Sequence, residues 1–90
     1  MMYNFNLTID EAIETDAKYF GVAIDVGLDD KEIIINTMEN MLNGKISYYV
    51  SAYTEDLKLK ANESIQIVAY AFGDSFEELE KKLLKDKIVG

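Results

Sequence analysis

Eight carboxylates crowd the first 32 residues of this 90-residue chain: Asp10, Glu11, Glu14 and Asp16 in one group, Asp25, Asp29, Asp30 and Glu32 in the next. Three chemistries are open to such a set. A pair of acids can hydrolyse a bond by general acid and base catalysis, but only if a cleft holds the substrate between them. A domain this small seldom forms a deep one alone. A cage of oxygens can hold Ca²⁺ or Mg²⁺. The spacing of Asp25, Asp29, Asp30 and Glu32 does not fit the EF-hand loop, and Asp29 and Glu32 already make an Asp-x-x-Glu capping box, so no metal and no cofactor is expected. The third chemistry is electrostatic: carboxylates on one surface form a negative field that draws in a basic partner.

Other routes to catalysis close by elimination. The chain has no Cys and no His, which removes thiolate nucleophiles, imidazole bases and structural zinc sites. Ser47, Ser51, Ser64 and Ser75 therefore have no base to activate them. The glycines form no G-x-x-x-x-G-K-[ST] phosphate loop, and no Lys stands in apolar surroundings that would suit a Schiff base. The expectation is a protein with no catalytic residues, not an enzyme.

The charge balance narrows the partner. Seventeen acids face nine bases, for a net charge of −8, and every base is Lys. Affinity for nucleic acid comes largely from cations near phosphates, and Arg is the usual bidentate reader of guanine, so direct nucleic-acid binding is not expected. The charge is also uneven. Residues 1–43 carry nine acids and two lysines, a net −7, whereas residues 44–90 are nearly neutral.

The elements that must position these acids follow from periodicity. Residues 2–9 alternate, with Tyr3, Phe5, Leu7 and Ile9 on one side, and predict a half-buried strand. An acidic connection, Asp10–Asp16, follows. Residues 17–26 predict a second strand with Phe20, Val22, Ile24 and Val26 on its apolar face. Asp29 and Glu32 then open a predicted helix over about 30–43, striped by Ile34, Met38, Met41 and Leu42 and closed by Gly44. Residues 45–54 alternate again and predict a third strand. The polar stretch 54–63 extends its hairpin. Residues 64–72 are apolar on both sides, which marks a central strand. Ser75 and Glu78 form a second capping box, opening a last helix with acids early and bases late, as the helix dipole prefers.

Offset by 46 residues, strand, Gly, cap and Glu recur in the same order, from Val22, Gly27, Asp29 and Glu32 to Val68, Gly73, Ser75 and Glu78. Two β-α units joined by a hairpin give an expected fold: a single α+β domain over residues 1–90, a two-layer ferredoxin-like sandwich. Its four-stranded antiparallel sheet carries two helices on one face, and the N-terminal strand fills the edge position. A rival arrangement makes residues 8–16 a helix and keeps three strands. The expected sheet has an open face carrying Ile65, Ile67, Ala69 and Ala71, joined by Tyr19, Ala23, Tyr49 and Tyr53.

Two functional expectations result. The first is a small acidic protein-interaction domain whose patch of Asp10, Glu11, Glu14, Asp16, Asp29, Asp30 and Glu32 binds a basic surface on another protein. Its most concrete form is an inhibitor that mimics nucleic acid, of the kind carried by phages and mobile elements. The second is a homodimer joined through the open sheet face at Tyr19, Tyr49, Tyr53, Ile65 and Ile67, with a structural or small-molecule-binding role. No stretch approaches the ~20 apolar residues of a membrane span, and residues 1–5 lack the basic start of a signal peptide, so the expected setting is the cytoplasm, away from membranes.

Overall fold

A computed structural model describes residues 2–27 and 31–89, with side chains as far as Leu83. The chain runs through helix α1 (Met2–Glu14), strands β1 (Tyr19–Asp25) and β2 (Lys31–Thr37), and a kinked helical segment. That segment comprises α2 (Met38–Asn40), a turn (Met41–Lys45) that kinks at Gly44 (φ 155°), and α3 (Ile46–Ala52). Strands β3 (Lys58–Leu59) and β4 (Asn62–Gly73) and helix α4 (Phe76–Val89) complete it. The fold is α+β, built on one open, antiparallel four-stranded sheet of order β2-β1-β4-β3.

Three segments differ in type from their sequence expectation. Residues 2–9 belong to a helix. Their alternation competes with a second pattern, Met2, Phe5, Ile9 and Ala12, at the spacing of one helix face, and these four are the ones buried. The helix ends in a left-handed turn at Asp16 (φ 56°). There the Ala17 N–H donates to the Ala12 carbonyl at 3.0 Å and the Asp16 N–H to the Ile13 carbonyl at 3.1 Å, the paired bonds of a Schellman termination.

Residues 31–37 form β2 instead of the start of a helix. The run Ile33-Ile34-Ile35 is β-branched and pleats readily. Ile34 packs into the main core, while Ile33 and Ile35 pack on the opposite side. The β1–β2 connection turns through Gly27 at φ 87°, whose N–H is held by the Asp25 carboxylate at 2.9 Å. Helix formation is delayed to Thr37, whose hydroxyl caps the Asn40 N–H at 3.1 Å. Residues 46–52, expected as strand, are helical and bury Tyr49, with Tyr53 just beyond the end. With residues 2–9 and 46–52 helical and 31–37 extended, the expected repeat of two β-α units is absent.

Both central strands match their expected positions. β1 lies between β2 and β4, with Val22 opposite Ile34 on one side and Tyr70 on the other. A bulge in β4 sets Ile24 opposite Ile67 but Ala23 opposite Ala69, so Val68 is the extra residue. The slip alters which residues share a face. Ile65, Ile67, Tyr70 and Phe72 all join Phe20, Val22 and Ile24 in the main core under α1 and α3, whereas Ala69 and Ala71 face the other way with Ala23. That second side is covered by α4 through Leu83. Helices therefore cover both faces of the sheet, and the expected open face is absent. Ser75 caps α4 as expected, accepting from the Glu78 N–H at 3.2 Å.

Candidate interaction surface

The sheet-face residues of the sequence reading are part of the fold's interior. Tyr49, Tyr53 and Ile67 are buried in the main core, Ile65 packs against it, and Tyr19 is half-buried at the start of β1. Tyr49 stands edge-on to Phe5 at 5.7 Å and beside Tyr53 at 5.9 Å. These rings hold α1 and α3 to the sheet and are not free to join two molecules face to face.

Their burial has a consequence in alkali. Burial pushes the Tyr49 phenol up from 10.0 to about 12, with repulsion from ionised Tyr53 and Tyr48 adding to it. Tyr53 is raised too, first by burial, then by Tyr48 and Glu32. A phenol whose folded value lies above its unfolded value favours folding fully below the unfolded value. That contribution drains away as the pH climbs through the folded one. Wild-type stability should therefore fall between pH 10 and about 12 more steeply than that of Tyr49→Phe. Denaturant midpoints measured across that range check it; parallel curves would refute it.

The acids divide into separate places. Asp10, Glu11 and Glu14 lie on the outward side of α1, all exposed. Tyr3 and Leu7 continue the same side towards the helix start, 70% and 47% exposed. Leu7, Thr8, Asp10, Glu11 and Glu14 line one shallow depression. Asp16 follows directly and is exposed, but its backbone supplies the left-handed end of the helix. Glu32 stands apart. It pairs with Ile24 near the end of β1 that is remote from α1's last turn, and its charge is felt by Tyr53. Asp29 and Asp30 lie outside the described residues. Of the seven acids expected in one patch, three share a helix face with Asp16 beside them.

Two features make this face unusual. The sole ion pair among the described residues joins Glu78 and Lys82 of α4 at 3.3 Å, so no lysine is seen to neutralise the α1 acids. Moreover, α1 has no acid in its first turn and no base in its last. Its carboxylates occupy the half where the helix dipole is already negative, which costs stability. Helix α4 has the favourable order, with Glu77 and Glu78 in its first turn. No protein family, curated protein or solved structure matches this chain. The geometry is therefore the ground for a functional reading. Among the described residues no group of three or more acids is placed to hold a metal ion, and no helix is long and apolar enough to cross a membrane.

Tyr3 and Leu7 were not among the expected contact residues, because a strand reading assigns them to the buried side with Phe5. The spacing 3, 7, 10, 14 is the signal that would have placed them beside Asp10 and Glu14.

Proposed function

We propose that this protein is a small, non-enzymatic interaction domain that binds a basic surface on another protein through the outer side of α1. The observation that carries the reading is a local conflict. Three carboxylates with no ion-pair partner among the described residues sit where the helix dipole disfavours them, next to exposed Tyr3 and Leu7. Departures from local stability rules are expected at functional sites. A basic partner would relieve the repulsion, and the two apolar side chains would supply the desolvated anchors on which most interface energy rests.

Nucleic-acid mimicry is the specific form. Asp10 and Glu14 lie one above the other on the helix face, separated by about 6 Å of rise, so they place negative charge at intervals along a line, as the phosphates of a DNA strand do. The proposed partner is thus a nucleic-acid-binding enzyme, and the proposed setting is the cytoplasm. Of the ferredoxin-like expectation, the antiparallel neighbours β1 and β4 at the sheet centre are a support, while helix at 2–14 and strand at 31–37 weigh against it.

The test is capture of a partner from cell lysate by the wild-type chain and by the triple variant Asp10→Lys, Glu11→Lys, Glu14→Lys. Wild-type capture should weaken steeply as salt rises, duplex DNA should displace the captured protein, and the triple variant should retain none of it. Capture that ignores both the charge reversal and the salt would overturn the reading.

A further inference from the structure

The sheet has two outer edges, and they are protected very differently. On one side the short β3 covers the first part of β4, and further along the Phe72 carbonyl of β4 accepts from Lys82 Nζ at 3.3 Å. β2 pairs with β1 alone, over its whole length and with no bulge. Its middle is Ile33-Ile34-Ile35, all half-buried. Sheet edges are ordinarily blunted by a bulge, a proline, an inward-pointing lysine or a covering segment. Lys31 stands only at the end of β2, and among the described residues its centre has none of these devices.

The direction of its peptide groups follows from the register. Beyond the paired stretch, the Met38 N–H donates to the Lys18 carbonyl at 2.9 Å, in step with Tyr19 opposite Thr37. In an antiparallel ladder hydrogen-bonded and non-bonded pairs alternate. Residues 32, 34 and 36 therefore bond to β1, and the N–H and C=O groups of Lys31, Ile33, Ile35 and Thr37 point outward. Among the described residues, no backbone group outside β1 bonds to β2.

We infer that the outer edge of β2 pairs antiparallel with β2 of a second copy, about a two-fold axis at Ile34, to form one continuous sheet across a dimer. The strand is self-complementary in that register. The outward pairs are Lys31 with Thr37 and Ile33 with Ile35, so hydrogen-bonding groups meet hydrogen-bonding groups. Glu32 meets Asn36, so no like charges stand opposite each other. On the main-core face each Ile34 meets its mate, and on the α4 face each Ile33 meets an Ile35, extending both apolar layers across the seam. The net charge of −8 opposes association, but Lys31 and Glu32 leave the seam itself neutral. The acids of α1 lie elsewhere, since α1 packs chiefly against β4. The inference is independent of the α1 reading, and a dimer of this kind would present two such faces.

Sedimentation of the full chain over a concentration series should show a dimer. Added salt should tighten it by screening the net charge, the reverse of its effect on capture through α1. Ile33→Pro removes an outward N–H that the isolated fold does not use. Ile34→Lys sets two ammonium groups opposite each other at the axis. Each should weaken dimerisation about a hundredfold, as loss of two peptide hydrogen bonds, one from each copy, or a like-charge clash requires, with the circular dichroism of the folded chain retained. Hydrogen exchange on the wild type provides a reading free of substitutions: the Ile33 and Ile35 amides should be protected at high concentration and exposed on dilution. A wild-type chain that stays monomeric overturns the inference, whatever other strand can bind the edge. So does a dimer that survives in either folded variant, or rapid exchange at Ile33 and Ile35 while the dimer is present.

Discussion

Replacing Phe5 with alanine should cost the fold about 3–5 kcal/mol, the range for truncating a buried aromatic side chain. Phe5 is fully buried and edge-on to three rings, Tyr70 at 5.2 Å, Phe20 at 5.7 Å and Tyr49 at 5.7 Å. Those rings belong to β4, β1 and α3, so a single side chain fastens the N-terminal helix to both central strands and to the facing helix. Domains of this size have a total stability of about 5–15 kcal/mol, and the variant should be partly unfolded on mild warming. Urea denaturation measures the loss. Tyr3→Ala and Leu7→Ala serve as controls, because an exposed position should change stability by less than about 0.5 kcal/mol. On a strand, all three residues would share one buried side and all three changes would be costly. Equal losses at 3, 5 and 7 would therefore refute the helix as well as the role of Phe5.

The second large effect should come from Leu83→Ala, at about 2–5 kcal/mol. Leu83 is fully buried in the smaller core with Ala23 and Ala69. Gly21 lies beside it: a Cβ there would stand 2.9 Å from Leu83 Cδ1 and 3.1 Å from Ile35 Cγ1. The sheet presents almost no side-chain volume at this point, and the leucine fills the hollow. Gly21→Ala should itself be destabilising, since the new methyl overpacks a filled site. Combined with Leu83→Ala, the methyl enters space that the leucine has vacated, so the double variant should lose less than the two single losses together, by about 0.5 kcal/mol or more. Ile35 retains part of the clash, so recovery should be incomplete. Strict additivity in a denaturation cycle would show that the two side chains do not share the space.

The parts of the fold that were legible from sequence are those where one pattern has no rival. Strands 17–26 and 64–72 are short, apolar and bounded by glycine, and they occupy the sheet centre as β1 and β4. The Ser75 cap has a single interpretation, and the hydrogen bond to Glu78 N–H is formed. The illegible parts carry two patterns at once. Phe5 and Ile9 satisfy both the alternation of a strand and the spacing of a helix, and the tie is broken by Met2 at one end and Ala12, a small residue easily discounted, at the other. Residues 45–54 pose the same conflict: Tyr49 and Tyr53 are four apart as well as on alternating positions, and burial follows the helical spacing. At 31–37 a persuasive cap, Asp29 with Glu32, outweighed the β-branched run that follows it, although three consecutive isoleucines are better suited to a strand closed in on both sides. The bulge at Val68 could not be read at all, because an inserted residue looks like any other until its partner strand is known.

The same mixture affected the candidate site. Charge asymmetry pointed to the first half of the chain, and Asp10, Glu11 and Glu14 do share a helix face. Glu32 does not join them, because a strand carries it to the far end of the sheet.

Helix α1 assigns its two duties to different residues. Met2, Phe5, Ile9 and Ala12 anchor it, while Tyr3, Leu7, Asp10, Glu11 and Glu14 look outward and support nothing beneath them. Such a division frees natural variation: the outward set can drift, reverse sign or acquire a new recognition pattern without endangering the scaffold. Related chains would then keep the inward four and diverge at the outward five, and a randomised library at those five positions would still fold.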